Sequence, residues 1–219
     1  MTPAGVEERL NCLEHELARV KAITEILNLV NQMQWLHSVN RDNDITNLLA
    51  RESPDVRVYM SKGYWEGPEE VAKPARMRPV PNPGHMALHL MSNPIIEVAG
   101  DGKTAKGVWI ACGMVAMKDK KTNRPAGYWE WNRYGIDFIK ENGQWKIWHH
   151  HVFPLFCVGW NEKWEDQFKP EDNLPLNIPA EFRPNHPPTP LDVGYSPDTE
   201  LPYIAPPEPY ETFDPKTMY

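Results

Sequence analysis

Cysteine is scarce in this chain, with only Cys12, Cys112 and Cys157 in 219 residues, far apart and without a CxxC spacing. Neither a disulfide framework nor a cysteine-rich zinc site can be assembled from so few, and the thiols are expected to be reduced. No stretch of about 18 apolar residues occurs, and Met1 to Glu8 carry no basic segment followed by an apolar run. Neither a membrane span nor a secretory signal is therefore expected, and the expected location is the cytoplasm. A basic surplus is also missing: 23 Lys and Arg stand against 30 Asp and Glu, a formal net charge of -7. Nucleic acid is a poor partner for such a surface, because binding it requires cations that displace counterions. No internal repeat is visible.

What the chain does hold is enough apolar material for one well-buried core, at 41% hydrophobic residues, and an excess of two types, 9 Trp and 23 Pro. The excess of proline is concentrated, since 13 of the 23 lie between Pro170 and Tyr219. That segment can form neither a ladder nor a long helix. Yet Phe182, Tyr195, Tyr203, Ile204, Tyr210, Phe213 and Tyr219 are spaced through it, more large apolar groups than a solvated linker carries. It reads as an extended strap packed on the body or on a neighbouring subunit.

At the other end, Thr2-Pro3 reads as a helix start, Thr2 as cap and Pro3 at the first helical position. Val6, Leu10, Leu13, Leu17, Val20, Thr24 and Leu27 then recur at alternating spacings of four and three. The pattern predicts a long amphipathic helix whose first half presents a narrow seam to another subunit. Its second half, broadened by Ile23, Ile26, Val30 and Met33, packs on a core. Asp44 is placed to cap a short second helix with Ile45, Leu48 and Leu49. After it come two short strands around Val56–Met60 and Tyr64–Trp65, a small helix from Glu69 to Lys73, and a Pro-rich connection from Ala75 to Gly84 that can cover a pocket. Four long segments follow, His85–Val98, Ala105–Met117, Tyr128–Lys140 and Trp145–Phe156, separated by turn residues. Helices followed by a run of hairpins predict an α+β domain.

Three local motifs carry a resemblance. They are Gly63-Tyr64-Trp65-Glu66-Gly67-Pro68-Glu69-Glu70-Val71; His89-Leu90-Met91-Ser92-Asn93 running into Val98-Ala99-Gly100-Asp101-Gly102-Lys103-Thr104-Ala105; and Asn142-Gly143-Gln144-Trp145-Lys146-Ile147. In this order and separation the chain resembles the SnoaL-like branch of the nuclear transport factor two-like superfamily, over roughly Ile23 to Trp164. The resemblance implies a cone-shaped fold, a curved antiparallel sheet wrapped on N-terminal helices with an apolar pocket at one end. It divides the chain into an N-terminal helical extension (1–22), the cone domain (23–169) and the Pro-rich tail (170–219). Relatives of this kind include ketosteroid isomerase, scytalone and bile-acid dehydratases, polyketide cyclases and limonene-epoxide hydrolase. Most of those enzymes use no cofactor and move protons with a few side chains in a dry pocket.

The resemblance singles out His89 as general base or acid, a role that imidazole fills near neutral pH, with His85 four residues earlier as a second pocket group. In the last strand, His149 and His151 share the parity of Trp145 and Ile147, which are buried in similar proteins, so His149 or His151 is expected to face the pocket and His150 to face away unless a bulge intervenes. A zinc bound by His89, His149 and His151 is the sharper alternative, although no acidic residue is arranged to orient such ligands. Tyr59 occupies a position where similar enzymes hold a substrate oxygen. Arg78, in the covering loop, is the cation placed to reach inward, with Arg57 the other available one. Trp109, Trp131 and Tyr134 on the meander strands, together with Trp129, suggest a wall for a flat ring-bearing ligand. Alignment of Trp35 with the Tyr of the dehydratases puts Asn40 where they carry an Asp base, and Asn cannot accept a proton; Asp42 and Asp44 read as loop and cap residues.

The expected activity is a cofactor-independent, metal-free lyase acting on a hydrophobic aromatic alcohol by acid–base chemistry. Dehydration is its simplest form. Loss of formaldehyde from a lignin-derived diarylpropane diol through a quinone methide is the form suggested by lignin-dimer lyases of the same superfamily. The rivals are an isomerase or hydrolase of the same fold, marked by an inward-facing Asp42 or Asp137, and a non-catalytic ligand-binding module. The expected assembly is a homo-oligomer, a dimer or a trimer.

Overall fold

The computed structural model describes residues 3–78, 82–118, 122–166 and 178–219. The cap at Thr2, the loop prolines Pro79 and Pro81, and the boundary between cone and tail at 169/170 lie outside the described residues. The chain begins with a 36-residue helix, α1 (Pro3–Ser38), and a single short turn of helix, α2 (Asp42–Ile45). Strands β1 (Arg57–Met60) and β2 (Gly63–Glu66) form a hairpin, followed by a 3-10 turn (Glu70–Ala72) and α3 (Lys73–Arg76). Four long strands complete the body: β3 (Met86–Val98), β4 (Thr104–Lys118), β5 (Pro125–Glu141) and β6 (Gln144–Gly159). Their turns use the residues that turns require. Asn142 and Gly143, both at positive φ, close the β5–β6 hairpin.

The six strands lie in the order β2-β1-β6-β5-β4-β3. All pairs are antiparallel except β1 with β6, whose register sets Arg57, Val58 and Tyr59 beside His149, His150 and His151. The sheet is thus mixed rather than wholly antiparallel, because β1 arrives from the helices and runs alongside the last strand of the meander. Its inner face packs on the second half of α1. Ile26, Val30 and Met33, one helical stripe, are buried against Trp109, Ile136, Phe138 and Ile147. Each such side chain contributes about 1.5–3 kcal/mol by leaving water. The next residue on that stripe is His37, so the same periodicity that builds the core carries an imidazole to the open end of the cone. The first half of α1 touches the body more lightly, with Val6, Leu10, Leu13, Leu17 and Val20 exposed.

The second helix starts three residues earlier than expected and ends at Ile45, so Leu48 and Leu49 lie beyond it. Asp42 opens it without capping, because its side chain turns into the protein, and Asp44 lies inside the turn.

The Pro-rich tail, from Ile178 onward, is a strap across the outer face of the sheet. Backbone bonds pair Tyr64 with His186, Leu155 with Tyr195, Gly100 with Tyr210 and Asp101 with Glu211. At its end Tyr219 lies over Gly135, where a Cβ would come within 2.6 Å of the ring. Beneath it sits a buried charged network. Lys106 Nζ donates to Asp137 Oδ1 (2.9 Å) and Thr217 O (2.6 Å), while Asp137 Oδ2 accepts from Tyr219 N (3.0 Å) and lies 2.9 Å from His149 Nδ1. Phe213 and Tyr219 present their ring faces to the same ammonium, at 4.6 and 5.0 Å. The strap therefore supplies acceptors, donors and π faces to a network that β4, β5 and β6 would otherwise leave incomplete.

Candidate active site

The inner face of the sheet, the end of α1, α2, α3 and the loop before β3 enclose a cavity of about 610 Å³, within the range of small-molecule sites. Its walls are largely aliphatic and methionine-rich, with Met33, Met60, Met77 and Met117 among the lining side chains. Methionine is the adaptable filler of apolar sites, so this wall can fit more than one ligand outline.

Two polar clusters face each other in this apolar space. The first joins α1, α2 and the loop after α3. His37 Nδ1 lies 2.5 Å from Asp42 Oδ1, and Arg78 Nη1 donates to the same oxygen at 2.9 Å while lying 2.7 and 3.2 Å from the two ring nitrogens of His37. Burial first, and then the neighbouring Arg78 charge, lower the His37 pKa to about 4 despite the bond to Asp42. Asp42 remains a carboxylate: burial would raise it, but the His37 bond and the Arg78 charge outweigh burial and hold it below its usual range. A carboxylate only accepts, so the proton of neutral His37 sits on Nδ1 and its lone pair on Nε2, 3.2 Å from Arg78 Nη1.

The second cluster joins β3 and β5. His89 Nε2 lies 3.4 Å from Glu130 Oε2, and Asn132 donates to Glu130 Oε1 at 2.7 Å. Burial would raise Glu130, but His89 and Asn132 together hold it below the ordinary carboxylate range. The imidazoles of the two clusters stack, with centroids 5.1 Å apart and planes 14° from parallel. His89 reaches this position because its partner across β4 is Gly113, where a Cβ would collide with the imidazole. Tyr134, on the same inner row of β5 as Glu130 and Asn132, is a neutral phenol whose pKa burial and then Glu130 push well up. His150 lines the cavity 5.4 Å from the Tyr134 ring. Its Nε2 is buried without a partner, and burial followed by the His151 and His37 imidazoles lowers its pKa to about 4.

Several sequence-predicted residues lie elsewhere. The expected parity of β6 is reversed. The β5–β6 register shifts between Asp137 and Phe138, which pair with His149 and Ile147 and leave Trp148 as an extra residue. This bulge turns His150 inward, while His149 goes to the Asp137 network and His151 Nε2 to Asp192 of the strap at 2.8 Å. His89, His149 and His151 therefore lie on two faces of the sheet, and no group of metal-ligating side chains is gathered among the described residues. Tyr59 faces outward too, because Val58 and Met60 are the inward residues of β1; its hydroxyl accepts from Arg57 at 3.1 Å and its ring stacks on Tyr64 and His151. Trp109 is buried edge-on against Phe138, deeper than the cavity, and Trp131 is 39% exposed on the outer face. Tyr134 alone of the expected aromatic wall lines the cavity, with Phe156 added. Arg78 and His85 do line it. Asn40 acts at one remove: with φ at 58° it sets its Oδ1 2.6 Å from His85 Nδ1. Asp42, read from sequence as a loop residue, is a buried member of the first cluster. Of the rivals' markers, Asp42 faces the cavity and Asp137 does not.

Residues 18–151, more than half of the chain, match the SnoaL-like domain model. The chain belongs to the SnoaL-like domain family. Solved structures of this fold align with it at low identity. A protein from Novosphingobium aromaticivorans named as a candidate scytalone dehydratase is 12% identical with a TM-score of 0.54, covering 66% of this chain and 91% of that one. Hexachlorocyclohexane dehydrochlorinase LinA-type3 from Novosphingobium barchaimii is 15% identical with a TM-score of 0.53, covering 68% and 96%. These likenesses establish the fold of this SnoaL-like domain and leave its chemistry to its own residues. No curated protein sequence matches the chain. No described helix is long and apolar enough to cross a membrane.

Proposed function

We propose that this SnoaL-like protein is a cofactor-independent lyase that eliminates water from a hydrophobic aromatic alcohol. The observation that carries this reading is the pair of stacked imidazoles, each beside its own carboxylate, in one apolar cavity. An elimination needs a base and an acid on neighbouring atoms of one substrate, held without bulk water. His37 Nε2, oriented by Asp42, takes the proton; the electron pair released forms the new double bond; the C–O bond breaks, and His89 delivers a proton to the departing hydroxyl so that it leaves as water. Arg78 fixes Asp42, and Tyr134 and His150 offer uncharged polar contacts to the substrate. The names of the two structural relatives, a dehydratase and a dehydrochlorinase, also denote eliminations.

Among aromatic alcohols, the substrate class we favour is a phenolic diarylpropane diol. Loss of its benzylic hydroxyl after phenol deprotonation gives a quinone methide and water. Deprotonation of the adjacent hydroxymethyl group then breaks the C–C bond, releases formaldehyde and returns the electron pair to the phenol as a stilbene. The size and adaptable walls of the cavity suit two rings and a short linker.

The test is turnover of phenolic diaryl diols and polycyclic alcohols, with and without chelator, read as new conjugated absorbance and released formaldehyde. Chelator-insensitive conjugation, lost by about 10²–10⁴-fold in His37→Gln and His89→Gln, is the expected result. Formaldehyde in equal amount identifies the deformylating form, and its absence the simple dehydratase. No turnover across the panel, or full turnover in both variants, overturns the reading. The inward-facing Asp42 favours a second reading, an isomerase or hydrolase led by that carboxylate. It predicts that Asp42→Asn abolishes turnover while His37→Gln retains it.

A further inference from the structure

The first half of α1 carries a repeat that the body does not use. Val6, Leu13, Val20 and Leu27 occupy one position of a heptad and Leu10, Leu17 and Thr24 the other, the d and a positions of a coiled-coil seam. From Val6 to Val20 this seam is 43–68% exposed. The opposite side of the helix is the one that meets the body. His15 Nε2 lies 3.1 Å from Gly100 O, Arg19 pairs with Glu97 at 3.2 Å, and Ala22 is buried. The seam therefore points away from the protein's own sheet.

The flanking charges say what covers it. Arg9 and Glu16 stand at the g positions and Glu14 and Lys21 at the e positions. In a parallel, in-register pair of helices, each g residue meets the e residue five positions later on the partner. Arg9 then faces Glu14 of the second copy and Glu16 faces its Lys21, so both contacts on both sides are of opposite sign. An antiparallel pair would instead match e with e and g with g. All four side chains are exposed, and the ion-pair contacts seen among them are with neighbours on α1 itself, Lys21 with Glu25 at 3.7 Å and Glu16 with His15 at 3.9 Å.

We propose that this seam pairs with the same seam of a second copy of the chain, parallel and in register, so that the domains assemble side by side with their cavities at the same end. The occupant is chosen by charge: a seam whose own e and g residues complement each other in register selects itself.

The experiment uses the full chain carrying Cys12→Ser and Val6→Cys, with mild oxidation and the yield of covalent dimer as readout. A d-position cysteine faces its own counterpart only in the parallel, in-register arrangement. High yield is expected from this parent. Adding Arg9→Glu/Glu16→Lys, or Glu14→Arg/Lys21→Glu, sets like charges against each other and lowers the yield at least tenfold. Combining all four restores it to within threefold. Circular dichroism confirms that each variant is folded. Absence of cross-linking in the parent overturns the proposal. So do double variants that cross-link like the parent, and a combined variant that is not rescued.

Discussion

Asp137 is the residue whose loss should be felt furthest from the cavity. It is fully buried, and its two oxygens serve Lys106 Nζ, His149 Nδ1 and the backbone N–H of Tyr219 at 2.9 to 3.0 Å. Asp137→Asn keeps the shape but removes the charge: the Lys106 ammonium, 5% exposed, is left with neutral acceptors and two ring faces, and the carboxamide NH2 replaces one of the two oxygens that accepted from Lys106 and Tyr219 and faced His149. Removing one member of a buried ion pair costs about 3–5 kcal/mol, because the other charge stays desolvated. For a chain of this size each kcal/mol lowers Tm by about 2–4 °C, so the expected shift is roughly 6–20 °C. Denaturant unfolding measures the free energy. Hydrogen exchange on the peptide spanning residues 213–219 tests its origin, since Thr217 and Tyr219 are bonded to this network and should lose protection together. Lys106→Met combined with Asp137→Asn should cost less than the sum of the single changes, because no unpaired charge remains. A single Asp137→Asn variant within about 1 kcal/mol of the parent, with residues 213–219 still protected, would refute the claim that the network anchors the strap.

Other consequences are as direct. Gly113→Ala places a methyl in collision with the His89 ring and 2.7 Å from the Leu88 carbonyl oxygen, so β3 must shift together with the imidazole and turnover should fall at least tenfold, although Gly113 itself touches no substrate; a lowered Tm is expected alongside, and unchanged turnover would refute the contact. His37 is held neutral down to about pH 4, so the acid limb of kcat/KM should fall near pH 4 rather than near the ordinary histidine value of about 6.5; a limb at 6.5 that His37→Gln does not alter would contradict its role as base. Burial lowers both His37 and His150 to about 4. The unfolded chain therefore binds two protons that the folded chain refuses, and stability should decline as pH falls from about 6.5 to about 4. The His150→Leu variant should flatten part of that decline in denaturant titrations at a series of pH values. Gly135→Ala should push Tyr219 off the sheet, raising exchange at residues 213–219 without changing turnover.

Much of the architecture was legible because it rests on periodicity and turn chemistry. The alternating spacing of four and three marked α1, and Asn142-Gly143 marked the last hairpin. The aromatic spacing of the tail marked a packed strap. The cavity wall was legible where it follows a strand without interruption, as at His89 and Tyr134, or a loop that folds inward, as at Arg78 and His85. It was lost where register changes, because the shift beside Trp148 is a property of strand pairing and leaves no local signature. Tyr59 was misplaced for the related reason that four alternating residues do not reveal which parity faces the helices. Two signals were present and unused. His37 continues the stripe of Ile26, Val30 and Met33, which places an ionisable group on a buried face. Glu130 and Asn132 share the parity of Tyr134, which marks them as polar residues on an inward row. Asp42 was misread because the composition of a loop does not show that a buried His and Arg await its carboxylate.

The extra residue in β6 makes the identity of the inward histidine a matter of pairing, not of spacing. Three consecutive histidines lie just beyond Trp148, and the strand resumes its pairing with β5 at His149, opposite Asp137. Removing Trp148 would join Ile147 directly to His149 in unbroken alternation and leave the faces as they are: His150 in the cavity, His149 on Asp137 and His151 on Asp192. The bulge is therefore length that the strand can lose without changing which imidazole the cone holds.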